Sequence, residues 1–157
     1  IRYVEETEPL GTAGAISLIP NLENIESLLV SNADLIHDID FRSMYEFHVS
    51  RNSDLTIASA LFPFRIPFGV LKHENLKLKS IDEKPTFEYP ILCGVNLLGR
   101  KVLKFFESIS PLDMVTVIQT AINRELFVNV FMNYGHWIDI GDPATLKREM
   151  SYFEESS

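Results

Sequence analysis

The chain has 157 residues, 46% of them hydrophobic, enough for a single globular domain spanning 1–157 with a sizeable core. Fourteen Lys and Arg stand against 22 Asp and Glu, and the resulting net charge of -8 repels polyanions, so no nucleic-acid partner is expected, although a local cluster or bound cation still admits a small phosphorylated ligand. A lone cysteine, Cys93, excludes an intrachain disulfide and a Cys-based zinc site; with no apolar run of membrane-span length, the expected setting is cytoplasmic, with no membrane partner.

Taken in chain order, Ile1 to Glu5 reads as a short strand without a signal-peptide pattern, and a start without Met in what looks like mid-strand suggests a fragment of a longer protein. The small-residue segment Glu8-Pro9-Leu10-Gly11-Thr12-Ala13-Gly14 leads into a helix over Ala15 to Ile19 that Pro20 stops. Leu28-Leu29-Val30 is apolar at every position, as in a parallel strand buried on both faces. Asp40 caps a helix whose apolar face is Phe41, Met44, Tyr45 and His48. Asp54 to Leu61 is a β-forming run, followed by short strands at Phe68 to Lys72, Leu76 to Ile81 and Ile91 to Leu98, with His73-Glu74-Asn75 as a hairpin turn. Ser110-Pro111-Leu112-Asp113 predicts a helix start with Ser110 at the cap, continuing through Val115, Ile118 and Ile122. Strands at Phe127 to Met132 and His136 to Ile140 precede a last helix, started by Asp142-Pro143, with Leu146, Met150 and Phe153 on one face. Strands alternating with helices make the class α/β.

Asp34 and Asp139 each follow an apolar strand, at the end where α/β sheets build their sites. Side by side they could share one magnesium ion, which takes one or two carboxylates plus phosphate oxygens and water; turn or capping roles are the alternative. Lys84, in Ile81-Asp82-Glu83-Lys84-Pro85, could hold a phosphate as a point charge or sit on a solvated turn. His37-Asp38-Ile39-Asp40 offers either a metal cluster, with the Asp-x-Asp pair found in nucleotide-sugar glycosyltransferases, or simple helix capping. Gly11-x-x-Gly14 is no complete phosphate-binding fingerprint, but Gly permits close backbone approach to a ligand. No Gly-x-Ser-x-Gly elbow is present for Ser/His/Asp catalysis.

In order, "EPLGTAGAI", "LLVSNADLIHDIDFRSMYEFH", "DLTIAS", "PFGVLKHE", "IDEKP", "CGVNLL" and "GHWIDIGDP" resemble the sugar-1-phosphate nucleotidyltransferases, in particular mannose-1-phosphate guanylyltransferase-like and glucose-1-phosphate thymidylyltransferase-like members. The resemblance implies a Rossmann-like three-layer α/β fold with a mixed sheet, lacking the family's N-terminal βα units, its Gly-rich loop and its Pro-Lys-Pro, so that this stretch alone is expected to be inactive. It implies a nucleobase pocket at Glu6, Pro9, Gly11, Thr12 and Asn32, and magnesium on Asp34 and Asp139. It further implies sugar-phosphate contacts at Gly69, Glu83, Lys84 and Gly94, with Asp34, Lys84 and Asp139 carrying the chemistry. Ala33 and Cys93 depart from the family's usual residues. The implied partners are a nucleoside triphosphate, a sugar 1-phosphate and a second copy of the chain in a homo-oligomer. A noncatalytic regulatory paralogue and a glycosyltransferase are the alternatives.

Overall fold

A computed structural model describes residues 1–142 and residue 146. The small-residue segment forms one helical turn, α1 (Gly11–Gly14), which tightens into a 3-10 turn at Ala15–Leu18 before Pro20. Ile1 to Glu5 take no strand, because among the described residues no neighbouring segment bonds their backbone and a strand exists only by its ladder. The strands are β1 (Ser27–Ser31), β2 (Leu35–His37), β3 (Leu55–Arg65), β4 (Gly69–Glu74), β5 (Lys77–Glu83), β6 (Thr86–Gly99), β7 (Val128–Asn133) and β8 (Trp137–Asp139). The longer helices are α2 (Phe41–Ser50) and α4 (Met114–Asn123), with the short α3 (Arg100–Leu103) directly after β6. The helix expected from Asp142-Pro143, with Leu146, Met150 and Phe153 on its face, lies largely outside the described residues.

The main sheet has the order β1-β6-β3-β7 and is mixed, with β6 antiparallel to both neighbours and β3 parallel to β7. The parallel, doubly buried strand expected at Leu28 to Val30 is instead an edge strand antiparallel to β6, and Leu29 is exposed. An unbroken apolar run records burial pressure but not strand direction. Strand alternation sends side chains to two faces, and each face has its own core. Leu55, Ile57 and Leu98 pack with Ile16, Val102 and Val117 from α1's extension, α3 and α4. Ala58, Ala60, Val95 and Leu97 pack with Ile39 and Met44 from α2. Helices therefore cover both faces, giving three layers.

Asp40 caps α2 as expected, its Oδ1 accepting from the Arg42 and Ser43 amides at 2.9 and 3.3 Å. Only Met44 and His48 of the expected face are buried; Phe41 and Tyr45 are exposed, because a ten-residue helix lies on the sheet through its middle. His48 Nδ1 lies 2.8 Å from Thr56 Oγ1, tying α2 to β3. Burial holds the His48 pKa below its ordinary 6.5, against the opposing charge of Asp54. The unfolded chain therefore binds the proton more readily, and this stabilisation is present above about pH 6.5 and is lost as pH falls toward the folded pKa. Thermal melts should show a midpoint dropping below about pH 6.5, and His48→Gln should flatten that slope; an unchanged slope would remove the assignment.

The hairpin turn falls on Asn75-Leu76 rather than His73-Glu74-Asn75. Both residues have positive φ, 48° and 65°, the primed-turn geometry that matches strand twist. The expected cap at Ser110 is also displaced. Helix α4 starts at Met114 with Asp113 in the cap position, and its buried face is Met114, Val117, Ile118 and Ala121, leaving Val115 and Ile122 exposed. Among the described residues no helix is long and apolar enough to cross a membrane.

Candidate active site

The chain turns out of β1 at Asn32-Ala33-Asp34 and returns as β2, which pairs antiparallel with β8 so that Leu35 faces Asp139. The Ile140 amide donates to the Asp34 carbonyl at 2.9 Å, which fixes the two acidic segments side by side. Gly141 sits between them: a Cβ there would lie 2.7 Å from Asp34 Oδ2 and 3.0 Å from Asp139 Oδ1. Those two oxygens are thus no farther apart than the sum of the two distances. Asp139 Oδ1 accepts from the Gly141 amide at 2.8 Å, and neither carboxylate has a Lys, Arg or His partner among the described residues. Two convergent carboxylates with uncommitted lone pairs, beside a glycine whose side chain would block them, fit a hard divalent cation that draws its other ligands from phosphate and water. Among the described residues no cluster of three or more His, Cys, Asp or Glu is arranged for a metal, so a protein cage is not what this pair provides.

Ala33 does not adopt a left-handed backbone, so its methyl brings no strain of that kind. Next to it, the Asn32 amide donates to the Gly94 carbonyl at 3.0 Å. Gly94 has φ +77°, and a Cβ there would meet Asn32 Nδ2 at 2.8 Å and Leu35 Cδ1 at 3.0 Å. Asn32 and Gly94 border a small cleft of about 190 Å³ whose other walls are Thr12, Leu92, Asn96 and the first turns of α4. Three expected site residues, Thr12, Asn32 and Gly94, therefore converge.

The small-residue loop reaches this cleft by docking on the segment before α4. Leu112 N donates to Leu10 O at 2.8 Å and Ala13 N to Leu112 O at 2.9 Å. Asp113 Oδ1 accepts from Thr12 N at 3.1 Å and Thr12 Oγ1 at 3.4 Å, while Thr12 Oγ1 accepts from Met114 N at 2.9 Å. A Cβ on Gly11, at φ +75°, would come within 2.7 Å of Asp113 Oδ1, and one on Gly14 within 2.9 Å of Ser110 O. Low bulk here serves chain-to-chain contact. Glu6 and Pro9 are exposed just upstream, with Glu6 Oε2 3.5 Å from the Leu10 amide.

Gly69, Glu83 and Lys84 form a separate group at the open end of the β4–β5 hairpin. Gly69 pairs with Glu83, and Lys84, at φ +47°, holds its Nζ 3.8 Å from Glu83 Oε1 with both side chains exposed. Among the described residues no hydrogen bond or ion pair links them to Asp34 or Asp139. The His37-Asp38-Asp40 alternative dissolves into three structural tasks. His37 Nδ1 accepts from Ile39 N at 3.1 Å, Asp40 caps α2, and Asp38 Oδ2 accepts from His136 N at 2.9 Å, a bond that leads the lowering of the Asp38 pKa. Cys93 is fully buried in the α2-side core, where burial raises its thiol pKa, so its side chain contributes packing rather than a ligand contact. Sequence reasoning assigned no site role to Asn96, Leu92, Asp113 or Val115. A polar Asn96 inside the apolar run Val95 to Leu98 was the available signal.

Among curated relatives, the mannose-1-phosphate guanyltransferase of Yarrowia lipolytica is 28% identical over 91% of this chain and 41% of its own length. The catalytic subunit beta of mannose-1-phosphate guanylyltransferase from Drosophila melanogaster is 29% identical over 98% of this chain and 43% of its own length. The Emericella nidulans mannose-1-phosphate guanyltransferase is 32% identical over 91% and 41%. The chain thus spans less than half the length of these relatives. In fold it is similar to the crystal structure of HddC from Yersinia pseudotuberculosis, with a TM-score of 0.62 and 24% identity over 94% of this chain and 64% of that one. The family model for nucleotidyl transferases matches residues 1–156, and the chain belongs to that family.

Proposed function

We propose that these residues are part of an enzyme that transfers a nucleotidyl group from a nucleoside triphosphate to a sugar 1-phosphate, releasing pyrophosphate, with GTP and mannose 1-phosphate as the preferred pair. The carrying observation is the convergence of Asp34 and Asp139 on Gly141, beside a cleft bordered by Thr12, Asn32 and Gly94. Similarity to relatives named for guanylyl transfer to mannose 1-phosphate supports the substrate pair.

In the proposed reaction an oxygen of the sugar phosphate attacks the α-phosphorus, the bond from that phosphorus to the bridging oxygen breaks, and pyrophosphate carries away the electron pair. Asp34 and Asp139 would hold magnesium, which neutralises charge developing on the phosphoryl oxygens. Asn32 and the loop bearing Gly11 receive the nucleoside, the backbone at Gly94 meets the sugar, and Glu83 and Lys84 on the hairpin take the sugar hydroxyls and phosphate. No protein nucleophile is required.

The test is product formation by the intact chain that carries these 157 residues, followed by chromatography with a panel of triphosphates and sugar phosphates, with and without magnesium. Metal-dependent nucleotide-sugar and pyrophosphate formation is expected. Silence across the panel would favour a noncatalytic paralogue, and consumption of a nucleotide sugar without pyrophosphate would indicate a glycosyltransferase. A homo-oligomer is part of the same proposal: the outer edges of β1 and β7 carry no ladder partner among the described residues, and such edges pair with other chains. Sedimentation equilibrium that finds only monomer at high concentration removes it.

A further inference from the structure

The geometry points to Asp113 and Thr12 as a positioning pair that sets the nucleoside-receiving loop, an inference that rests on the proposed nucleotidyl transfer. Thr12 faces the cleft, yet its hydroxyl is already engaged: Oγ1 donates to Asp113 Oδ1 at 3.4 Å and accepts from Met114 N at 2.9 Å. The same carboxylate oxygen accepts from the Thr12 amide at 3.1 Å. A hydroxyl has one proton to donate, and Thr12 donates it to Asp113, so Thr12 acts through position rather than as a donor to ligand.

Core burial holds the elements on either side of the pair but not the pair itself. Met114 and Val117, at the start of α4, and Ala13 and Ile16, just beyond Thr12, are buried in the same core, whereas Gly11, Thr12 and Asp113 are exposed. The exposed turn at Gly11 and Thr12 is thus what the Asp113 contacts hold. Two backbone bonds, Leu112 N to Leu10 O and Ala13 N to Leu112 O, set the loop's register, and the Asp113–Thr12 contacts fix the residue between them. Gly11, in its left-handed backbone, has no room for a side chain against Asp113 and Leu112, so loop and helix start cannot be separated by a bulkier residue. The resulting wall carries Thr12, Met114 and Val115 opposite Asn32 and Gly94. Loss of the pair lets Gly11 and Thr12 shift relative to Met114 and Val115, which weakens nucleoside binding more than it slows the phosphoryl step.

The experiment compares Asp113→Leu and Thr12→Val, which remove the carboxylate and the hydroxyl, with Asp113→Asn and Thr12→Ser, which keep an acceptor and a hydroxyl, in steady-state assays of the intact enzyme. Asp113→Leu and Thr12→Val should each raise the triphosphate KM about tenfold while kcat changes less than about threefold. The sugar-phosphate KM should hold, the conservative variants should stay near wild type, and combining the two removals should add little. Hydrogen exchange should show faster exchange at the Thr12 and Ala13 amides in Asp113→Leu. An unchanged triphosphate KM in an active Asp113→Leu and Thr12→Val overturns the inference while leaving the functional reading intact. A wild-type enzyme that forms no product with any substrate pair overturns the functional reading itself and this inference with it.

Discussion

Asp54→Ala is expected to destabilise the fold by about 1–3 kcal/mol, a substantial share of the ~5–15 kcal/mol that holds a domain folded. Asp54 is only 8% exposed and stands where three strands meet. Its carbonyl accepts from Gly99 N at 2.8 Å, its amide donates to Phe127 O at 2.8 Å, and its Oδ2 accepts from Phe127 N at 3.0 Å. The ends of β6 and β7 are thereby pinned to the start of β3. Lys101 Nζ lies 3.1 Å from Oδ1 but is well exposed, so solvent screens that pair and most of the cost comes from losing the charge-assisted bond to the Phe127 amide. Asp54→Asn keeps an acceptor and should lose about half as much. Urea unfolding monitored by circular dichroism measures both; an Asp54→Ala midpoint equal to wild type would refute the pinning role.

Asp34→Asn and Asp139→Asn are each expected to lower kcat on the order of 10²- to 10³-fold in the intact enzyme, with partial recovery at raised magnesium or manganese. Both side chains are exposed, and Asn at 139 can still accept from the Gly141 amide, so the melting temperature should barely move. That contrast separates this pair from Asp54: one substitution costs stability, the others cost chemistry. Gly141→Ala offers an independent probe, because its methyl would intrude on both carboxylates without altering their charge. Full activity in either Asn variant would sink the metal assignment.

How much of this was readable beforehand depended on how local the determining interaction was. The Asp40 cap was legible because its partners lie two and three residues on. Asp34 and Asp139 were legible as a candidate pair because each follows an apolar run, and the β2–β8 ladder brought them together. The start of α4 was misplaced because Ser110-Pro111 satisfies every local rule, whereas the contact that receives the Met114 amide comes from Thr12, far away in sequence. The direction of β1 was misjudged for a related reason: apolar character reports that a strand is covered, while its neighbour is set by the connection that follows. The hairpin group of Glu83 and Lys84 shows the same limit, since sequence adjacency joined those two residues to each other and left their relation to the carboxylates to the tertiary fold.

The bonds between Thr12 and Asp113 span 101 positions of chain. Closing so long a loop costs entropy before any contact returns it, so such contacts form late in folding. The loop at Gly11–Gly14 therefore acquires its shape only after β6 and α4 have been laid down, and a nascent or cleaved chain that stops short of Met114 carries the sequence "PLGTAG" without its conformation.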